Sequence, residues 1–218
     1  MVMHDQQSRH RSAVRQLGRL FMAGIMGLCL SFGAELSPAL AGPPTDSMKG
    51  TIDEVLRIIR DKELKQAAKA EERRSQLEKV VSERFDYQEM SRRALGAPWN
   101  QLSDKEKQEF VSLFQTLLTN SYAEKVESYS GEGVQYLNER TEKDYAEVRT
   151  KILSGKTEIP LDYRLINRGT DWRVYDVVVD GVSLVNNYRG QFTKILRASS
   201  YSDLVEQLRK KSDKLKSP

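Results

Sequence analysis

The residue types that carry most enzyme chemistry sit at one end of this chain. Its two histidines, His4 and His10, and its single cysteine, Cys29, all precede position 30 in a sequence of 218 residues. A serine hydrolase needs a base to take the hydroxyl proton, and histidine is the usual one. Zinc and redox metals favour histidine and cysteine ligands. Once the N-terminal stretch is removed, neither chemistry has its residues. Gly181-Val182-Ser183 has the opening of a nucleophile elbow, but Val185 stands where the second glycine belongs. Ser183 is therefore read as the cap of the helix that follows. The carboxylates Asp86 and Glu89, or Asp176 and Asp180, have the types for acid–base work on glycans. In a chain this rich in acids, such pairs are read as caps and solvated faces. No GxGxxG or GxxxxGK[ST] phosphate loop occurs. The expectation is a protein without catalytic residues, metal or cofactor.

That expectation depends on what happens to the N-terminus. Arg9, Arg11, Arg15 and Arg19 precede an apolar run from Leu20 to Phe32, and a breaking segment with Gly33 and Pro38 leads to Ala39-Leu40-Ala41 before Gly42. Charged, apolar and small-residue regions in that order form a secretory signal. The run is short for a bilayer span, and Leu28 before Cys29 disfavours lipoprotein processing. Residues 1–41 are thus expected to be cleaved. They hold four arginines against Asp5 and Glu35, so the net charge falls from +4 to +2, and the case for a nucleic-acid partner goes with it.

The elements that position the remaining residues follow from capping and periodicity. Gly42–Gly50 reads as a flexible lead-in. Thr51-x-x-Glu54 reads as a capping box opening a helix, and Asp61–Arg84 as a charged surface helix with Leu64, Leu77, Val80 and Val81 inward. Phe85 and Asp86 open a short helix that Gly96 and Pro98 stop. Ser103-x-x-Glu106 opens the longest pattern, in which Phe110, Leu113, Phe114, Leu117, Leu118, Tyr122, Val126 and Tyr129 share one face. The period then changes to two over Val134–Arg140, Tyr145–Leu153, Glu158–Arg168 and Asp171–Asp180, which predicts four antiparallel strands. A helix with Leu184, Val185, Tyr188, Phe192, Ile195 and Leu196 on its stripe follows, then a charged one over Ser202–Lys214. Arg209, Lys210, Lys211, Lys214 and Lys216 alternate there with acids and read as a solvated face; a weak handle for anionic headgroups or an acidic partner is the sharper alternative. The fold class is α+β: a curved antiparallel sheet of about four strands packed against several helices. One domain is expected over 51–210, with a charged tail at 211–218.

Apolar residues on facing elements either fill a core or line a cavity, and composition does not choose between them. On the third strand Ile159, Leu161, Tyr163 and Leu165 share a face; on the fourth, either Trp172, Val174 and Val178 or Tyr175, Val177 and Val179 do. Two blocks of residues do choose. Leu95-Gly96, Trp99, Gln108-Glu109-Phe110, Tyr122 and Tyr129-Ser130-Gly131 form the first. Asp171-Trp172-Arg173-Val174-Tyr175-Asp176-Val177, Asp180-Gly181-Val182-Ser183-Leu184-Val185, Asn187-Tyr188-Arg189 and Phe192 form the second. Together they resemble the MlaC family of periplasmic phospholipid-binding proteins, also called toluene-tolerance proteins, over about 51–210, with departures confined to Asp61–Arg84.

The resemblance implies an internal cavity between sheet and helices, with phospholipid as cargo rather than cofactor. It further implies a periplasmic shuttle that maintains outer-membrane lipid asymmetry. Its partners would be an inner-membrane ABC transporter with an MCE-domain ring and an outer-membrane lipoprotein complex. A carrier of another envelope lipid such as a hopanoid, or a solid-cored interaction module, remain the alternatives. On the leading reading the acyl chains contact Phe114, Leu117, Leu118 and Tyr122 on the central helix, Tyr163, Leu165, Val174 and Val178 on the sheet, and Leu184, Val185 and Tyr188 on the helix after it. A slip of one residue on either strand would exchange one set for its neighbours. Asp176, Gly181 and Ser183 are expected to shape the strand-to-helix turn.

Overall fold

Capping residues set where most helices begin, and one of those caps comes from far away in the chain. The computed structural model describes residues 42–127, 129 and 133–216, so the expected signal over 1–41 lies outside the described residues. Helix α1 runs over Pro43–Arg60. Its N-terminus is held by Glu139 of strand β1 (Gly133–Glu142): the Glu139 carboxylate accepts from the backbone N–H of Gly42 at 3.2 Å and of Thr45 at 2.9 Å, and from the Thr45 hydroxyl at 2.5 Å. This corrects two expectations. The stretch 42–50 is helical from Pro43 instead of a flexible lead-in, and Thr51 is mid-helix, its hydroxyl donating to the Ser47 carbonyl while Glu54 pairs with Arg57.

The charged stretch after α1 folds as a 3-10 turn over Ala67–Lys69 and helix α2 over Ala70–Arg84, of which only Leu77 is buried. Arg84 closes this region by donating to Thr51 of α1 and to Asp171 and the Trp172 carbonyl at the sheet. Helix α3, Tyr87–Leu95, takes Asp86 as its cap through the Glu89 N–H at 2.9 Å. The Asp86 N–H in turn donates to the Val174 carbonyl at 2.8 Å, so this short segment lies along the edge of the sheet. Helix α4, Asp104–Glu127, starts on the expected box: Ser103 Oγ accepts from the Glu106 N–H, and the Glu106 carboxylate accepts from the Ser103 N–H. Tyr129, expected on this helix, lies just past its end.

Strands β2 (Tyr145–Ser154), β3 (Thr157–Asn167) and β4 (Trp172–Val179) continue from β1 as an antiparallel meander. A fifth, two-residue strand β5, Val182–Ser183, was not expected. It forms because Asp180 and Gly181 both adopt positive φ, 49° and 79°, the geometry of a tight I′ hairpin, which turns Val182 back against Val179. Helix α5, Leu184–Ala198, follows directly, and α6, Tyr201–Lys216, closes the fold. The expected tail at 211–218 is thus helical through Lys216, with Ser212 buried and its carbonyl accepting from Asn120 of α4. The fold is α+β, with six α-helices among the described residues and an open, curved antiparallel sheet.

Two bulges give the sheet its curvature. One falls between Tyr136 and Asn138, leaving Leu137 exposed. The other lies on β4, where Asp176 pairs with Arg164 but Val174 pairs with Leu165. Tyr175 is therefore an extra residue, and the inward face of β4 changes parity there: Trp172 and Val174 before it, Val177 and Val179 after it. The apolar side chains form two layers. A sheet layer lies under α1, and a helical layer is built from α3, α4, α5 and α6.

Candidate functional site

The sheet layer consists of Ala146, Val148, Tyr163, Leu165, Val174 and Val177, covered by Met48 and bordered by Ile52, Phe85 and Leu184. One helix provides most of the lid. Beneath it the phenol groups of Tyr136 and Tyr163 are buried. Desolvation pushes the ionisation of Tyr136 up to about 12, with Asp53 adding to it, and pushes that of Tyr163 well above its usual range. Tyr129, beside them, exchanges hydrogen bonds with Gly133 in both directions. The Tyr136 hydroxyl is buried and has no hydrogen-bond partner among the described residues. A third patch, Ile58, Ile59, Leu64 and Leu77, continues α1 away from the sheet.

The helical layer is knitted by aromatic rings. Phe114 meets Tyr188 edge-on at 5.2 Å and Phe192 at 5.5 Å, and Phe110 meets Phe192 at 5.7 Å. Such contacts add to area burial. Leu117, Leu204 and Leu208 fill the rest. The two layers touch at Phe85, which packs against both, and at the start of α5, where Leu184 belongs to the sheet layer and Val185 to the helical one.

Asp176, 3% exposed, holds that junction. Its carboxylate accepts from the Ser183 hydroxyl at 2.6 Å, from the Val185 N–H at 3.0 Å and from Arg164 at 3.1 Å. Ser183 Oγ in turn accepts from the Asn186 N–H at 3.0 Å, as a helix cap should. On the solvent side of the junction lies a cleft of about 520 Å³ lined by Arg92, Arg93, Arg164, Arg189, Tyr175 and Val185, among others. Behind it, Arg92 and then Arg93 hydrogen-bond the Glu89 carboxyl and hold it down to about 2 against the opposing effect of burial. Among the described residues no histidine, cysteine and carboxylate groups cluster as a metal site would require, and no helix is long and apolar enough to cross a membrane.

The family model described as MlaC protein matches residues 49–210. The chain belongs to this family. A relative from Haemophilus influenzae, an intermembrane phospholipid transport system binding protein of the MlaC family, is 23% identical over 122 residues, 53% of this chain and 57% of the relative. The chain thus spans little more than half the length of the curated relative it matches. A solved structure of a phospholipid-binding protein from Ralstonia solanacearum, in complex with a phospholipid, superposes with a TM-score of 0.71 at 24% identity, over 81% of this chain and all of the other. At that identity the likeness establishes the fold.

In this MlaC-family chain the residues expected to line one cavity are divided between two layers. Phe114, Leu117, Leu118, Val185 and Tyr188 are buried together in the helical layer, with Tyr122 at its border. Tyr163, Leu165 and Val174 lie in the sheet layer, with Leu184 at its edge. Val178 is buried outside both clusters, because the bulge at Tyr175 gives its inward position to Val177. Met48, Ile52, Tyr136 and Val148 were missed. Met48 was missed because α1 was read as starting too late, Ile52 because the helix that carries it was not paired with the sheet, and Tyr136 and Val148 because β1 and β2 carry a weaker apolar alternation. The arginine cleft was missed entirely, since its members come from α3, β3 and α5.

Proposed function

We propose that the mature protein is a non-catalytic phospholipid carrier of the periplasm. On this reading it is exported through a signal cleaved after Ala41, and it moves lipid between the outer and inner membranes. The observation that carries the reading is the family match, because residues 49–210 include nearly all of both apolar layers. A carrier is physically required for such traffic. At about 0.8 kcal/mol per methylene, moving a two-chain lipid of roughly 30 methylenes into water costs over ~20 kcal/mol. A protein layer that accepts the tails removes most of that barrier, and no single contact decides affinity.

The sheet layer suits the tails better than the helical one. It is covered chiefly by one helix whose N-terminus is pinned at Glu139, and it holds a phenol hydroxyl without a partner. The acyl chains would lie between α1 and β1–β4 against Val148, Tyr163, Leu165, Val174 and Val177, reaching Leu184 at the junction. The inner-membrane ABC transporter with its MCE-domain ring and the outer-membrane lipoprotein complex are the partners this role calls for.

Native mass spectrometry of protein purified from the periplasm, followed by solvent extraction, tests the proposal. The expected result is a polypeptide beginning at Gly42 with one phospholipid mass added. A polypeptide mass alone under conditions that retain lipid would overturn the carrier reading, and an extracted hopanoid would overturn the phospholipid assignment.

A further inference from the structure

The cleft beside the α5 N-terminus concentrates arginine from three elements: Arg92 and Arg93 of α3, Arg164 of β3 and Arg189 of α5. The carboxylates near it are already committed. Glu89 is chelated by Arg92 through Nε at 2.9 Å and Nη2 at 2.6 Å, and it also takes Arg93 Nε at 2.7 Å. Asp176, which itself lines the cleft, has both oxygens used by Ser183, Arg164 and Val185, and Arg164 also pairs with Glu147 at 3.6 Å. Arg189 is left over. Among the described residues no carboxylate lies within ion-pairing distance of it, and its guanidinium lies alongside Gly96, whose φ of +70° turns the chain out of α3. Arg93 is stiffened in place, its guanidinium 4.1 Å from the Tyr175 ring centroid and 5.6 Å from that of Tyr145. Planar guanidinium groups match the oxygens of a phosphate better than a lysine does, and Arg189 brings donors that no carboxylate among the described residues occupies. A neighbouring groove along α5, sharing Arg189 and adding Lys194 and Arg197, extends the positive field outward.

We propose that this cleft binds a phosphate oxyanion, with Arg189 as the residue that contacts it and Arg93 and Arg164 as the walls that orient it. Its position gives the headgroup phosphate of a bound lipid a short path to the apolar interior. Val185 lines the cleft and packs in the helical layer, and Leu184, one residue earlier, borders the sheet layer. The Tyr188-Arg189 step therefore divides its labour, one side chain in the core and the next in the cleft. The headgroup arm rests on the carrier reading; the anion site itself does not.

Calorimetric titration of the mature protein, stripped of lipid, with dihexanoyl-phosphatidylglycerol and separately with inorganic phosphate tests both arms. Arg189→Glu and Arg189→Gln are compared with Arg140→Glu, a change at an exposed position on β1. The short-chain lipid is expected to bind the wild type and to lose about tenfold or more in affinity with Arg189→Glu, less with Arg189→Gln, and nothing with Arg140→Glu. Inorganic phosphate is expected to bind more weakly and to compete with it. If phosphate alone binds as tightly as the lipid and Arg189→Glu abolishes both, the site stands as a free-anion site and the headgroup assignment falls. If the Arg189 variants, folded by their circular dichroism, bind both probes as the wild type does, the proposal is overturned while the carrier reading survives. A wild type that takes up no lipid but binds phosphate through Arg189 would overturn the carrier reading alone.

Discussion

In the helical layer, Phe110 and Phe114 of α4 meet Tyr188 and Phe192 of α5 ring to ring at 5.2–6.1 Å, and α3 and α6 complete the packing. In the sheet layer, β-branched residues and tyrosines face mainly α1, and the Tyr136 hydroxyl finds no partner among the described residues. The first arrangement loses many contacts if any element moves. The second loses those of one helix. The difference separates scaffold from compartment: a protein that takes up and releases a bulky amphiphile needs one layer that keeps its shape and another that opens at low cost.

Truncation in the two layers should therefore have opposite signatures, and the largest effect belongs to Phe114→Ala. Removing a fully buried ring at the centre of the helical knot costs about 3–5 kcal/mol, a fall of roughly 10 °C in thermal midpoint for a domain of this size. Lipid of the same class should still be recovered with whatever protein remains folded. Retention of the wild-type midpoint in a calorimetric scan would show that the helical layer is not the rigid one.

The join between the regions is ionic, and its response to acid is the next effect in size. Asp86 and Glu89 at the start of α3 pair with Arg168 at the β3–β4 hairpin, while Arg92 and Arg93 complete the shell around Glu89. The Glu89 carboxyl ionises near 2 in the fold against 4.5 ordinarily. Its contribution is therefore complete above pH 4.5, declines as pH falls and is gone below about 2. Allowing for the solvent around the arginines, about 2 kcal/mol is at stake. Glu89→Gln should be less stable than wild type by that amount in urea at pH 6, and the gap should close towards pH 2. A gap independent of pH would show that the glutamate acts through packing alone.

Local signals in the chain were legible where both partners lie within a few residues. The Ser103–Glu106 box marks the start of α4, Ser183 caps α5, and the period-two stretches place four strands to within a residue or two of their observed ends. What stayed hidden depends on distant partners. The cap of α1 is Glu139, a separation of 94 residues from Thr45, so a nearer but unused box at Thr51 was read in its place. The alternation on β4 fits both faces because the extra residue at Tyr175 makes both fits partly right. The arginine cleft assembles from α3, β3 and α5, and each of its members is unremarkable among its own neighbours.

The Glu139 cap also gives a means of loosening the compartment without touching its lining. In Glu139→Gln the charge that faces the first turn of α1 is lost while one acceptor remains, so the cost should be about 1 kcal/mol. Hydrogen exchange is the more telling readout. Amides of residues 46–52 should exchange faster than in wild type, those of α4 should not, and loading with lipid should be quicker. Equal acceleration in both helices would mean that α1 and the helical layer open as one unit, against the separation drawn above.

The smallest effect carries the opposite sign, and it bears on why a natural sequence keeps a buried hydroxyl unpaired. Tyr136→Phe removes a buried oxygen that has no partner among the described residues, so stability should rise, or at worst hold, by less than about 1 kcal/mol. If the phenol serves the cargo, by donating to an ester oxygen that arrives with it, the same variant should release lipid faster, as measured by transfer of a fluorescent phospholipid to acceptor vesicles. A gain in stability together with faster release would locate polar recognition inside the sheet layer. A loss of stability would show that the hydroxyl has a structural partner and that the layer is already fully satisfied without cargo.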